Sequence, residues 1–232
     1  MKKIKLYISL LISLFVVASC ELDNYDTPNA KIYGGIYDNV TGELVPQDII
    51  SGSRIEYIEL GYEVPTTQYL IFKSDGSYRN DLMFSGKYAI GPGTAGNFVA
   101  PAKDTIDLAS GETKLDFTVQ PFVRIKNCTI TKIGTEIVAT FTIEQTTTDK
   151  VRYINLFASR EPTLGGSFSQ VSKRSEIDVV TVPTTVYTLK IDLPTNTSLL
   201  IPGKPFYFRV GAQSRASGAK YNYAPEIVLI TV

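Results

Sequence analysis

The stretch that decides the fold is Phe206-Tyr207-Phe208-Arg209-Val210-Gly211-Ala212, in which apolar residues occupy every second position. Successive side chains of a β-strand point to opposite faces, so the apolar set is expected in a core and Tyr207 and Arg209 on the other face. Two further stretches share this period; their apolar positions are Ile137, Ala139, Phe141 and Ile143 in one, and Tyr187, Leu189, Ile191 and Leu193 in the other. Three such strands predict a β-sandwich.

The preceding part of the chain also consists of short apolar runs separated by turn residues, with no helix-length period of 3.6. Strands are expected at residues 32–37, 54–60, 68–72 and 115–119. Asp75-Gly76 predicts a hairpin, because both residues tolerate positive φ, and the Pro and Gly cluster at 91–96 predicts a loop. The fold class is therefore predicted as all-β, with two tandem β-sandwich domains at residues 31–120 and 121–232.

The start of the chain has the order of a lipoprotein signal peptide. Lys2, Lys3 and Lys5 precede an apolar run at residues 6–17, and Val17-Ala18-Ser19-Cys20 then forms a lipobox. The run is shorter than the roughly 20 residues that a permanent membrane span needs. We therefore expect cleavage of residues 1–19, lipidation of Cys20 and attachment to the membrane through that lipid.

Residues 20–30 are short, acidic and without periodicity, which favours a flexible lipidated tether. The acidic residues that follow Cys20 resemble the export signal of Bacteroidetes-type lipoproteins. That resemblance implies an outer-membrane protein exposed at the cell surface; a solvated linker is the alternative interpretation.

Composition excludes several function classes. The chain has 23 basic and 23 acidic residues and no histidine, so histidine-based triads and histidine metal ligands are unavailable. Removal of residues 1–19 takes away three lysines and no acidic residue, which leaves a weakly acidic protein and argues against a nucleic-acid partner. No cofactor and no metal site are predicted.

Cys128 is left without a disulfide partner once Cys20 is lipidated. It lies among β-forming residues, and free cysteine is among the residue types most often buried. We expect a buried structural thiol; a reactive thiol, which would need an electropositive and accessible setting, is the alternative.

Ligand-binding candidates follow from the way proteins hold sugars. Aromatic rings pack on C–H faces, and amides, carboxylates or arginine take the hydroxyl groups. Residues with this chemistry stand near the end of the chain, and the candidate ligand-binding set is Tyr207, Arg209, Tyr221, Asn222 and Tyr223. Tyr221 and Tyr223 are expected in a loop between the last two strands, where they either face a ligand or pack structurally.

Other polar clusters suggest weaker chemistry. The carboxylate pairs Asp104/Asp107 and Glu56/Glu59 would suit a glycosidase only if they flanked a cleft, so no catalytic residue and no enzymatic activity are predicted. Asp75, Asn80 and Asp81 could supply oxygen ligands to calcium, although their spacing is not that of a calcium-binding loop. Asp104-Thr105-Ile106 resembles a Bacteroidetes O-glycosylation acceptor, with a surface strand end as the alternative.

Several motifs resemble known families. The first domain resembles the carboxypeptidase-regulatory or transthyretin-like sandwich, through Gly35-Ile36-Tyr37-Asp38, residues 41–45, Asp75-Gly76-Ser77-Tyr78 and Gly86-Lys87-Tyr88. The second resembles a fibronectin type III or immunoglobulin-like domain through residues 200–212, with Phe206 where that family usually places its corner tyrosine. A further set of motifs covers nearly all of the mature chain: the lipobox, residues 34–38, 75–80 and 104–106, and Val210-Gly211-Ala212 with Tyr221-Asn222-Tyr223. Through these motifs the chain resembles the Bacteroidetes lipoprotein family known as domain of unknown function 3823.

That family resemblance implies an accessory role beside SusC/SusD-like outer-membrane uptake pairs. The expected function is a non-enzymatic lipoprotein that binds polysaccharide or docks on the transporter pair. The alternative is a structural surface subunit, fimbrial or spacer, for which the apolar residues 227–232 could act as a donated strand. Completion of the protein's own sheet is the other interpretation of that segment.

Overall fold

The computed structural model describes residues 26–232, so the predictions for the signal peptide and Cys20 lie outside the described residues. Within this range the chain is all-β, with one 3-10 turn at Pro194–Asn196. No helix in the described part is long and apolar enough to cross a membrane. The strands are β1 Ala30–Asp38, β2 Arg54–Glu59, β3 Thr67–Ile71, β4 Ser77–Met83, β5 Gly86–Pro92, β6 Phe98–Val99, β7 Asp104–Leu108, β8 Gly111–Lys114, β9 Phe117–Pro121, β10 Val123–Ile133, β11 Glu136–Gln145, β12 Val151–Ser159, β13 Val171–Val179, β14 Tyr187–Asp192, β15 Pro205–Ser214, β16 Tyr221–Tyr223 and β17 Val228–Thr231.

The first domain packs two sheets face to face. One has the strand order β4-β1-β9-β6, with β8 also paired to β1, and the other has the order β3-β2-β5-β7. Their inner faces enclose one core, whose fully buried members include Ile32, Ile36, Ile55, Ile90 and Phe98. Tyr78 lies in this core, stacks on Phe117 and donates its hydroxyl to the Leu115 carbonyl at 2.6 Å.

Strand β1 pairs with two different parallel partners along its length. Its first half pairs with β8 and its second half with β9, and the change of partner occurs at Gly34-Gly35. A Cβ atom at Gly34 would lie 1.9 Å from the Leu115 carbonyl oxygen, and the Gly35 amide donates to Asp116 at 3.0 Å. The close approach of the two backbones requires glycine at position 34.

The turn at Asp75-Gly76 forms as predicted, but the predicted hairpin is wrong. Gly76 has φ of +96°, and the Asp75 carboxylate accepts the Ser77 amide at 2.8 Å. The flanking strands β3 and β4 belong to different sheets, so the turn carries the chain across the sandwich. Gly91 and Pro92 also belong to β5, and only the later part of the predicted 91–96 loop lies outside a strand.

The second domain is likewise a sandwich, of a β10-β11-β14 sheet on a β13-β12-β15-β16 sheet, with β17 also paired to β15. The predicted period-two strands are confirmed. The buried positions with at most 2% exposure include Ile137, Ala139, Phe141 and Ile143 of β11, Ile191 of β14, and Phe206, Phe208, Val210 and Ala212 of β15. β17 completes its own sheet by pairing with residues 205–208 of β15.

Cys128 is half-buried rather than fully buried and packs against the core of the second domain. Burial, together with nearby Glu226, raises the pKa of its thiol to about 12. The thiol is therefore protonated at neutral pH, the form that is a poor nucleophile.

An ion pair joins the end of β1 to the start of β10. The Arg124 guanidinium donates to both carboxylate oxygens of Asp38, at 2.5 and 2.8 Å, and both side chains are less than 10% exposed. Arg124 also contacts Glu144 at 2.8 Å. Burial raises the pKa of Asp38, but hydrogen bonds from Arg124 and from the Val40 and Thr41 amides outweigh it, so the net shift is downward.

Gly34→Ala is expected to lower the free energy of unfolding by about 3 kcal/mol, because the new methyl group overlaps the Leu115 carbonyl. Urea denaturation of residues 21–232 measures this change. Gly86→Ala is the matched control, since a Cβ there meets only ordinary contacts at 3.8 Å. Equal stability of the two variants would contradict the proposed constraint at β1.

Asp38→Asn is expected to lower stability at pH 7 by about 3 kcal/mol, because it leaves the Arg124 guanidinium without its bidentate partner. The folded pKa of Asp38 is depressed, so its contribution is present at neutral pH and is lost as pH falls below the usual aspartate pKa of about 3.9. Denaturation curves of wild type and variant should therefore converge toward pH 2. Glu144→Gln, which removes a half-exposed partner, should cost under about 1 kcal/mol at pH 7.

Candidate functional site

Asn97 lies at the centre of a buried polar network between the two domains. Its side-chain oxygen accepts from Gln47 at 2.9 Å and from Ser53 at 3.1 Å, and its amide donates to the backbone carbonyls of Pro46 and Tyr221. The Asn222 side chain in turn donates to the Asn97 carbonyl at 2.7 Å. Loops of the first domain are thereby tied to β16 of the second.

Asp48 and Tyr223 make a second link across the same junction. One carboxylate oxygen of Asp48 organises its own turn by accepting the Ile50 and Ser51 amides. The other oxygen accepts the Ser167 amide at 3.1 Å and lies 3.3 Å from the Tyr223 hydroxyl. Burial and the nearby Asp48 carboxylate raise the pKa of Tyr223, so its phenol stays protonated.

Arg209 is buried beside Tyr223, with 1% exposure. Its Nε donates to the Ala224 carbonyl at 3.1 Å, and its guanidinium lies 4.6 Å from the centre of the Tyr223 ring. Burial lowers the pKa of Arg209 to about 10, which leaves it charged at neutral pH. The ring face stabilises this charge by a cation–π interaction.

The structure separates the predicted ligand-binding residues. Arg209, Asn222 and Tyr223 lie buried at the junction, where they pack and hydrogen-bond instead of facing solvent. Tyr207 is half-buried against the small core of Phe157, Leu164 and Tyr223. Tyr221 alone of the set is partly exposed at an open cleft, and it lies in strand β16 where the sequence predicted a loop.

The cleft at the junction has a volume of about 230 Å³. A turn of the first domain and a loop and strands β15 and β16 of the second form its walls. Its lining residues are Asp48, Ser51, Gly166, Ser167, Gln213, Lys220, Tyr221 and Tyr223. It is smaller than the 300–1,000 Å³ typical of drug-sized sites and offers one aromatic wall with several hydroxyl, amide and charged groups. Such a lining suits one small polar ring.

Beside the cleft, the β12-β13-β15 sheet presents a polar and aromatic outer surface, which we call the open sheet face. Tyr153 pairs with Gln213 on one side and with Glu176 on the other, and Asn155 pairs with Arg174, so these side chains lie on the same side of the sheet as Tyr221. The members of the open sheet face are Tyr153, Asn155, Arg174, Glu176, Gln213 and Tyr221. The Tyr153 ring contacts two guanidinium groups, of Arg152 at 4.6 Å and of Arg174 at 4.7 Å.

Tyr221 joins the cleft to the open sheet face. Its ring meets Phe157 edge to face at 5.4 Å and covers Gly211, where a Cβ atom would lie 3.2 Å from it. Burial raises the pKa of Tyr221, and Asn155 and the positive charge of Arg174 oppose that shift. Sequence reasoning missed Asp48, Tyr153 and Arg174, because only strand pairing and domain packing bring them to this region.

The weaker sequence candidates are dispersed. Asp104 and Asp107 stand three residues apart on β7, as do Glu56 and Glu59 on β2, so each pair points to opposite faces. Asp75 caps its own turn, and Asp81 pairs with Arg79 at 2.8 Å. Among residues 26–232 no group of three potential metal ligands converges. Thr105 is exposed on edge strand β7.

Solved structures share this architecture. A "putative carbohydrate binding protein" from Bacteroides uniformis ATCC 8492 is 32% identical, with a TM-score of 0.81, and the match covers 88% of this chain and 100% of that one. A DUF3823 family protein from Parabacteroides merdae ATCC 43184 is 21% identical, with a TM-score of 0.75 and coverage of 89% and 100%. At that identity the likeness shows the fold alone. No curated protein matches the chain.

Family models match both domains. Residues 30–120 match the model described as "Protein of unknown function (DUF3823) N-terminal domain", and residues 123–227 match "Domain of unknown function (DUF3823_C)". Together the two matches span most of the chain, and they confirm the resemblance of its motifs to domain of unknown function 3823. The chain belongs to the DUF3823 family.

Proposed function

We propose that this protein is a non-enzymatic carbohydrate-binding lipoprotein, in which the junction cleft and the open sheet face form the binding surface. The observation that carries the proposal is Tyr221, a partly exposed ring flanked by hydroxyl, amide and charged groups contributed by both domains. Sugars bind where such a ring meets their C–H face and polar groups meet their hydroxyls. The 32% identical protein described as a putative carbohydrate binding protein supports the same ligand class.

The junction network favours binding without large rearrangement. Asp48, Asn97 and Tyr223 fix the cleft walls through hydrogen bonds that cross the domain boundary. A binding surface whose walls are already ordered has less conformational entropy to lose when its ligand arrives.

The cellular part of the proposal rests on the sequence. The lipobox at residues 17–20 supports lipid attachment at Cys20, and the acidic residues after it support display at the outer surface of the outer membrane. We place the protein beside a SusC/SusD-like uptake pair, where it captures polysaccharide or docks on the transporter.

Tyr221→Ala is expected to abolish retardation of residues 21–232 by a bound polysaccharide in affinity gels, because it removes the aromatic wall of the cleft. The variant should fold, as judged by its circular dichroism and thermal melt. Tyr62→Ala is the matched control, since Tyr62 is a 64% exposed tyrosine on the first domain, away from the cleft. Equal retardation of wild type and Tyr221→Ala would exclude Tyr221 as a ligand contact.

Cys20→Ala is expected to prevent lipid attachment and to release the protein from the membrane fraction, because the thiol is the acceptor for the lipid. Metabolic labelling with a fatty acid measures lipid attachment, and membrane fractionation measures membrane association. Proteolysis of intact cells measures display at the cell surface. Cys128→Ala is the control and should leave labelling and fractionation unchanged. Incorporation of the fatty-acid label into the Cys20→Ala variant would overturn the proposal that Cys20 carries the lipid.

A further inference from the structure

The open sheet face lies in a predominantly basic surround. Basic side chains at this face and its adjoining cleft outnumber acidic ones: Lys150, Arg152, Arg174, Arg215 and Lys220 against Asp48, Glu176 and Asp178. The three carboxylates are already engaged. Asp48 accepts the backbone amides of Ile50, Ser51 and Ser167. Glu176 contacts Arg152 at 3.4 Å and Arg215 at 3.7 Å, and Asp178 pairs with Arg215 and, at 3.9 Å, with Lys150.

Arg174 keeps an uncompensated charge within this surround. Among residues 26–232 no carboxylate lies within the 4.0 Å that defines an ion pair for Arg174 or for Lys220. Arg174 is exposed, and its guanidinium is oriented by the Tyr153 ring at 4.7 Å. A guanidinium held against a ring keeps its hydrogen-bond donors available to a planar anion.

Neutral polar groups lie directly beside this charge. Asn155 shares a strand-pair position with Arg174 and is 4% exposed, yet its side-chain oxygen has no hydrogen-bond partner in the described part of the chain. Gln213 and Lys220 line the adjoining cleft together with Tyr221. The surface therefore combines aromatic rings, amide groups and free positive charge.

We propose that the open sheet face and the cleft recognise an anionic glycan, one that carries carboxylate or sulfate groups, with Arg174 as the anion contact and Lys220 as a second positive charge. This inference rests on the proposed carbohydrate-binding function and names the ligand class of the same surface. Tyr153 and Tyr221 supply the ring faces for the sugar. A neutral glycan would leave the Arg174 charge without a counterpart.

The test compares the binding of matched polysaccharides to residues 21–232, a segment that includes all residues described by the structure. Affinity gels and titration calorimetry measure the binding. Polygalacturonate and its methyl-esterified form share one sugar backbone, and the ester replaces the carboxylate charge by a neutral group. Dextran sulfate and dextran form the second pair. We expect at least tenfold tighter binding of one charged member than of its neutral partner. The preferred pair distinguishes a carboxylate ligand from a sulfate ligand.

Arg174→Gln should weaken binding of the charged glycan at least tenfold, and Arg174→Lys should weaken it less, because it keeps the charge but loses the planar fork. Lys173→Gln is the matched control: it removes the same charge from the neighbouring position, which faces the opposite side of β13. Thermal melting of each variant checks folding.

The outcomes separate the two proposals. Binding of neutral glycans, unaffected by Arg174→Gln but lost in Tyr221→Ala, would overturn the anionic ligand and leave carbohydrate binding standing. If Lys173→Gln and Arg174→Gln weaken binding of the charged glycan equally, binding reflects general charge attraction, and this result would also overturn the anionic-glycan proposal. Failure of every glycan to bind would overturn both proposals.

Discussion

The hydrogen bonds of Asn97 are the interaction on which the site depends. One buried amide satisfies Gln47, Ser53 and Pro46 of the first domain together with the Tyr221 carbonyl of the second. Because an unpaired polar group is costly in a buried setting, the two domains are held to the arrangement that pairs these atoms. The cleft has walls from both domains and exists only in that arrangement.

Two arginines on one sheet surface illustrate how domain packing assigns roles. Arg209 of β15 and Arg174 of β13 both point away from the core of the second domain. The first domain covers Arg209, whose charge is stabilised by the Tyr223 ring and by a backbone carbonyl. Arg174 is left exposed beside Tyr153. Residues of the same type, on the same face, are structural in one case and available to a ligand in the other.

Much of the fold follows from the sequence, because the alternation of apolar and polar residues along a strand predicts which of its faces is buried. The prediction for β15 is confirmed for that reason: Phe206, Phe208, Val210 and Ala212 are fully buried. The hairpin at Asp75-Gly76 was wrong because turn chemistry specifies a chain reversal and not the sheet that the next strand joins. Burial of Arg209 was not predictable, since alternation cannot show that another domain covers the outer face. Tyr153 and Arg174 meet only through the β12–β13 register.

The last strand of the second domain is divided between β16 and β17, and each part pairs with its own end of β15. Register in an antiparallel pair is set locally, and a shift by one residue turns every side chain to the opposite face. The interruption at residues 224–227 therefore isolates the two registers from each other. An insertion or deletion there leaves Tyr221 over Gly211 and Ile230 against the core. The exposed part of this strand at Tyr221 can therefore change in sequence while β17 continues to close the sandwich.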